Sequence, residues 1–382
     1  MWYNAGMTEQ LDMLLWELAE QQPWLLPVCF ALFGACVGSF LNVVIYRTPR
    51  GLSVNEPRRS FCPSCNKEIP WYLNIPLVSW LLLRGRSACC GQRISMRYWL
   101  VELACALLFA GVAWQLGEGQ SLSAVAQVLM CAWVATGLAM LCIDWEQMIV
   151  LPKMALVATG LGIAAVLADP VWFYETASMG DAFLLAAGSG VMGFILLKLV
   201  ALLGRICFGH KKKSFADAQA WELKQEGEED LLLTIGNTTY LWSELFMEEN
   251  NRVHLDGAML RDKEHAAGTI TFTAESFTLP DGSEHRLEDY ESLAGSCRGM
   301  RTRREAMGSG DAWIALSLGV VCGWQGACFA LAAGSVLGIL WAIIARVSKG
   351  EPMPFGPAFI AGAWLYLAYG RGWVEAFIHN MG

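Results

Sequence analysis

Residues 24–46, WLLPVCFALFGACVGSFLNVVIY, run for twenty-three positions without a charge and are closed by Arg47. Roughly 20 apolar residues in a helix cross the hydrocarbon core of a bilayer. The stretch is therefore a predicted membrane span, and runs of the same kind recur at about 98–116, 124–143, 150–168, 181–204, 311–324, 327–345 and 355–371. The sixth is short and Gly-rich, separated from the seventh by Trp324-Gln325-Gly326. The eighth carries Pro357 and several aromatics. Composition agrees: 55% of the 382 residues are apolar and 16% charged, where soluble domains carry about 25% charge. The predicted fold class is an all-α polytopic membrane protein of about eight transmembrane helices, with a Cys-bearing cytoplasmic loop and a small cytoplasmic β-containing insert. A net charge of −8 argues against nucleic acid as a partner and leaves membrane lipid as the surrounding medium.

Positive charge predicts the orientation. The loop 47–97 holds nine Lys and Arg against Glu56 and Glu68, which places it in the cytoplasm and the N-terminus outside. The first basic residue is Arg47, so the chain does not open like a signal peptide; residues 1–23 form a predicted periplasmic amphipathic segment, with 10–22 on the membrane surface. Spans two to five occupy 98–204. Residues 205–307 form an acidic insert, with about 19 acids against about 12 bases in 209–307. There, TITFTAESF followed by Pro280-Asp281-Gly282 predicts strand, turn and strand. Residues 308–382 hold the last three spans. The Lys211–Lys213 run has the look of a lipid-facing anchor.

LCIDWEQMIVLP places Asp144 where the third span meets the cytoplasm, and MGSGDAWIALSLG places Asp311 at the cytoplasmic start of the sixth. Both carboxylates then share one face at one depth. Carboxylates at such depths are costly and commonly functional. Two that share a proton suit peptide hydrolysis: one takes a proton from water, the other polarises the scissile carbonyl. Gly308 and Gly310, without side chains, let a substrate backbone approach Asp311. The plain alternative for either aspartate is an interfacial or helix-capping residue. Asn42 and Arg47 are candidates for orienting substrate or lipid head groups, with helix-end packing as the alternative. Glu102 is expected to be a salt-bridge partner.

Several motifs together resemble the bacterial type IV prepilin peptidases, membrane aspartic enzymes of the GxGD type. Gly38 to Arg47 looks like their first-span signature, and Cys62-Pro63-Ser64-Cys65 like their first cysteine pair. Trp71-Tyr72, Asn74-Ile75-Pro76, Ser79-Trp80, Gly85-Arg86, Ile94-Ser95, Arg97-Tyr98 and Val101-Glu102 follow at similar spacing. Ile143-Asp144 and Gly308-Ser309-Gly310-Asp311 complete the likeness, which covers about 1–207 and 305–345. The resemblance implies an inner-membrane enzyme that cuts the leader of type IV prepilins, or of type II secretion pseudopilins, after a Gly at the cytoplasmic face. It implies Asp144 and Asp311 as the catalytic pair. It also implies N-methylation of the new N-terminus with S-adenosylmethionine. The acidic insert is not typical of the family, which has a short connection there. Ser87 stands where the family's second cysteine pair begins, Lys153 where an Asp is frequent, and Trp313 where a Lys is frequent.

Two Cys-x-x-Cys pairs would suit tetrahedral zinc. Here Cys62 and Cys65 form one good pair, and Cys89 and Cys90 a displaced one. Adjacent cysteines point apart in extended backbone, so all four reach one zinc only if a turn carries Cys89 and Cys90. The alternative is a degenerate site with free thiols or a disulfide, the latter disfavoured in a reducing compartment. Other readings stay open: a peptidase that has lost methyl transfer, or, in a different class, a transporter using the carboxylates as a proton relay.

Overall fold

The computed structural model describes residues 17, 21–56, 60–62, 64–114, 122–208, 210–225, 231–246, 251–260, 267–303, 308, 310–346, 353–370 and 372. Most of the predicted surface segment 10–22, and Ser309 of the Gly-Ser-Gly-Asp stretch, lie outside them. The chain forms two units, Met1–Lys198 with Ser309–Gly382, and Leu199–Gly308.

The first unit is helical. Its elements are α1 (Leu25–Arg47), α2 (Val78–Leu82), α3 (Met96–Trp114), α4 (Ala124–Gln147), α5 (Pro152–Ala168), α6 (Pro170–Tyr174), the part up to Lys198 of α7 (Met179–Phe208), α8 (Asp311–Ile344) and α9 (Gly356–Leu365). Among the described residues, five helices are long and apolar enough to cross a membrane: α1, α3, α4, α7 and α8. The apolar α5 has 17 residues. Each predicted span falls on a helix, with ends shifted by a few residues. The shift matters at α4, which continues past position 143 to Gln147, so Asp144 lies within its last turns.

Lipid offers apolar side chains no gain from meeting each other, so membrane helices associate where small residues let backbones touch. Gly34 and Gly38 of α1 serve this role. A Cβ at Gly34 would lie 2.7 Å from the Cys105 carbonyl oxygen, and one at Gly38 would lie 2.8 Å from the Glu102 Cα of α3. Asn42 then donates from Nδ2 to the Tyr98 carbonyl at 3.1 Å. On α7, Gly190 and Gly193 meet the Leu316 and Ala315 carbonyls of α8 in the same way. Asp169 joins two caps, accepting from the Ser123 amide that opens α4 and from Trp172 in α6.

Although α8 is one continuous assignment, it reverses at Gly323, whose φ of 68° and ψ of 177° are not helical. Straight, it would run about 51 Å. Instead Trp341 near its end packs on Trp145, with ring centroids 4.8 Å apart, and Trp145 adjoins Asp144. The chain therefore turns back on one residue, just before the predicted Trp324-Gln325-Gly326 turn. The reversal frees two carbonyls, and the Tyr174 hydroxyl donates to them, at 2.8 Å to Val320 and 3.4 Å to Gly319. The second half then packs on α9, with Gly334 against Phe359 and Gly362 against Ala330.

The second unit is one eight-stranded antiparallel sheet. Its strands are β1 (His210–Gln225), β2 (Leu231–Ile235), β3 (Thr238–Leu241), β4 (Val253–Leu260), β5 (Gly268–Phe272), β6 (Ser276–Thr278), β7 (Glu284–Arg286) and β8 (Ser292–Arg303), in the order β3-β2-β1-β8-β4-β5-β6-β7. The expected strand–turn–strand is found at β5 to β7. The Lys211–Lys213 run opens β1, in register with Met300 to Thr302 of β8. The sheet curls. Flat, β1 and β5 would stand about 14 Å apart, yet the Trp221 and Phe272 rings are 5.7 Å apart. Trp242, in the short helix after β3, donates to the Ala274 carbonyl between β5 and β6. Leu233, Leu255, Ile270, Phe272 and Phe277 fill the enclosed core.

The glycine contacts predict a contrast. Gly38→Val forces a side chain into α3 backbone and should destabilise the purified protein by about 1–3 kcal/mol, lowering its melting temperature. Gly111→Ala, with nothing within 4 Å, should leave it unchanged.

Candidate active site

The first unit carries Asp144 and Asp311 buried at one end of its helices, 4% and 5% exposed. Asp311 is the first residue of α8, after the N-cap Gly310. The ends of α4 and α8 that carry them are held together. Three contacts do this. Trp133 Nε1 donates to Ser317 Oγ at 3.1 Å, tying α4 to the second turn of α8. A Cβ on Gly310 would fall 2.5 Å from the Val150 Cβ, in the turn that follows Asp144. A Cβ on Gly356 would fall 2.5 Å from Asp144 Oδ2 and 2.9 Å from Ile314 Cδ1.

Gly310 thus has a packing reason for being glycine, beyond the room for substrate expected from sequence. Gly308 is exposed. Gly356 was not singled out from sequence. Its signal is Pro354-Phe355-Gly356-Pro357, where prolines bracket a glycine at the start of α9. Asp144 Oδ2 has no well-formed hydrogen bond among the described residues and faces the Gly356 backbone amide. The amino end of a helix favours a carboxylate.

The Cys loop reaches the same end of the helices. Arg97, at the start of α3, pairs with Glu146 at 2.6 Å, two residues after Asp144. Asn42 and Arg47 are both buried. Asn42 joins α1 to α3, and Arg47 Nη1 donates to the carbonyls of Ser53, Val54 and Glu56 at 2.9–3.2 Å, folding the start of the loop. Glu102, expected in a salt bridge, instead accepts the Leu77 amide at 2.7 Å.

Cys62, Cys65, Cys89 and Cys90 converge, with all four sulfurs within 4.8 Å of one another. Two small hairpins carry them, one closed by the Phe61–Glu68 bridge and one by Arg86–Arg93. The second turns tightly, the Gly91 amide donating to the Ser87 carbonyl at φ +70°, so adjacent Cys89 and Cys90 both face the cluster. Cys62 is 3.7 Å from Cys90, and Cys65 is 3.2 Å from Cys89. Four thiolates on one zinc at about 2.3 Å would stand about 3.8 Å apart, so the set fits the ion. Hydrogen bonding from Ser87 pulls the Cys62 thiol down to about 6. Against the Lys67 amide, the Cys89 sulfur pushes Cys65 up to about 12. Ser87 stands beside the cluster, 2.9 Å from Cys89 Sγ, so Cys89 supplies the sulfur that Ser87 lacks.

Comparison with known proteins places this arrangement. Residues 239–343 match the profile of the Type IV leader peptidase family, and residues 32–116 that of the Bacterial Peptidase A24 N-terminal domain. A prepilin leader peptidase/N-methyltransferase of Stutzerimonas stutzeri is 34% identical over 220 residues, 49% of this chain and 75% of its own. One from Aeromonas hydrophila is 36% identical over 226 residues, 50% of this chain and 76% of its own. One from Myxococcus xanthus is 57% identical over 84 residues, 21% of this chain and 25% of its own. The chain belongs to the type IV leader peptidase family. No solved structure matches it.

The Gly310–Val150 contact should show as a rescue. Gly310→Ala should cost about 1–3 kcal/mol, read as a lower melting temperature, and adding Val150→Ala should recover most of the loss.

Proposed function

We propose that this chain is a prepilin leader peptidase that uses Asp144 and Asp311 as its catalytic pair and also methylates the mature N-terminus. The observation that carries the reading is two buried carboxylates held by glycine contacts at one end of an apolar bundle. One carboxylate, ionised, takes a proton from water as the water oxygen bonds to the carbonyl carbon of the leader Gly. The other, protonated, donates to the carbonyl oxygen. Collapse of the tetrahedral intermediate breaks the C–N bond, and a carboxyl proton passes to the leaving amine. The substrate's apolar helix lies in the bilayer beside α4 and α8, with its leader in the aqueous phase. The basic loop 47–97 shares the end of the bundle that holds the aspartates, which supports a multi-pass inner-membrane protein with its site facing the cytoplasm. Prepilins and type II secretion pseudopilins are the substrate class.

Methyl transfer draws its methyl group from S-adenosylmethionine. Cys62, Cys65, Cys89 and Cys90 hold a structural zinc in our reading, which fixes the loop that shapes this second activity. The four converging sulfurs favour a retained site over a degenerate one.

Asp144→Asn and Asp311→Asn should each reduce cleavage of a co-expressed prepilin by at least about 10²–10⁴-fold, with the protein still in the membrane. Undiminished cleavage in both would reject the assignment. Gly356→Ala should slow cleavage by on the order of 10–100-fold, because small misplacements of a reacting group are costly. Metal analysis should find about one zinc per chain, lost in Cys89→Ser and kept in Ser87→Ala. An unmethylated mature pilin N-terminus in mass spectra would point to a peptidase alone.

A further inference from the structure

Between the two cysteine hairpins lies WYLNIPLVSWLLL, residues 71–83, thirteen positions without a charge inside an otherwise basic loop. A soluble loop would bury such side chains. Here Trp71 is 82% exposed and Leu82 77%, with Tyr72, Ile75, Val78 and Leu81 also outward. Only Ser79 is buried.

Three observations fix where this surface lies. Leu77 donates its amide to Glu102 Oε2 at 2.7 Å, and Glu102 is six residues into α3, about 9 Å along its axis. At that same level Gly38 of α1 touches the Glu102 Cα. The segment therefore descends beside two membrane helices. Trp80 seals it against α3, its ring 6.3 Å from that of Trp99.

Next, every backbone amide from Leu73 to Ser79 is satisfied inside the protein. Leu73 donates to the Pro70 carbonyl, Asn74 to Trp71, Ile75 to the Ser79 hydroxyl, Leu77 to Glu102, Val78 to Pro76 and Ser79 to Ile75, while Pro76 has no amide proton. Water would make such economy unnecessary, whereas in hydrocarbon it is obligatory. The Val78–Pro76 bond closes a γ-turn with Leu77 at φ +62° and ψ −46°, a strained conformation that Glu102 holds in place.

Finally, the two helices beside the segment also leave large apolar side chains exposed near this level, Phe40 on α1 and Leu100 on α3. Arg84 and Arg86 follow at once, both exposed, as expected where a segment leaves an anionic interface.

We propose that residues 71–83 are a re-entrant element seated in the bilayer interface, with Trp71, Tyr72, Leu81 and Leu82 against lipid acyl chains. Arg84 and Arg86 mark its return to the head groups. The cysteine loop is thereby moored to the membrane between its two hairpins.

The unmodified full chain can test this in phosphatidylcholine–phosphatidylglycerol bilayers containing a phosphatidylcholine with a diazirine in its acyl chain. After illumination, peptides spanning 71–83 should carry lipid adducts at a density similar to the outer faces of α1 and α3, and several-fold above residues 86–93. Labelling of 71–83 no higher than 86–93 would overturn the proposal, whether because the segment is in water or because a second protein chain covers it.

Discussion

In a bilayer, apolar side chains have nowhere better to go, so contact between helix backbones decides which helices meet. This constraint positions the two aspartates. Gly34 and Gly38 lock α1 onto α3, Gly190 and Gly193 seat α7 on α8, and Gly310 and Gly356 bring the ends of three helices around Asp144. Both carboxylates are carried on helix ends, and the Trp133–Ser317 hydrogen bond together with two glycines, where a methyl group would collide, aligns those ends. The chemistry rests on a scaffold whose tolerances are those of backbone against backbone.

Much of this was legible. Charge-free runs between charged loops mark the helices because a spanning segment tolerates few charges. Asp144 and Asp311 stood out as acids at the borders of such runs. The turn between the predicted sixth and seventh spans was visible only approximately. Gly323 reverses the chain by itself, and nothing in VCGWQG shows which glycine takes the positive φ. The prolines around Gly356 mark a turn, but its contact with Asp144 lies more than 200 positions away, and a sequence pattern reports local order only. Glu102 suggested a salt bridge, but its partner is a backbone amide, which no residue type announces. The insert was underestimated for a similar reason. Long strands such as β1, with KKKSFADAQAWELK, alternate poorly, and their pairing with β8 is non-local.

The cysteine cluster shows how geometry can bring four sulfurs together although their spacing along the chain is irregular. With Ser87 at a position where the family carries cysteine, the pattern looks broken. A turn of one more residue brings Cys89 and Cys90 to the same centre, and Ser87 remains as a hydrogen-bonding neighbour. Ligand sets of this kind are defined by where sulfurs converge, so a spacing rule misses substitutions that the fold absorbs.

The insert's topology has a consequence for how such a chain can arise. Its first and last strands are direct neighbours, with His210 in register with Arg303, so the chain enters and leaves the sheet about 5 Å apart. A module with adjoining ends and its own core can be spliced into a short connection without prising its flanking segments apart. The 102 residues between α7 and α8 thus have the topology of a segment that a host connection could accept in a single genetic step, and could equally shed.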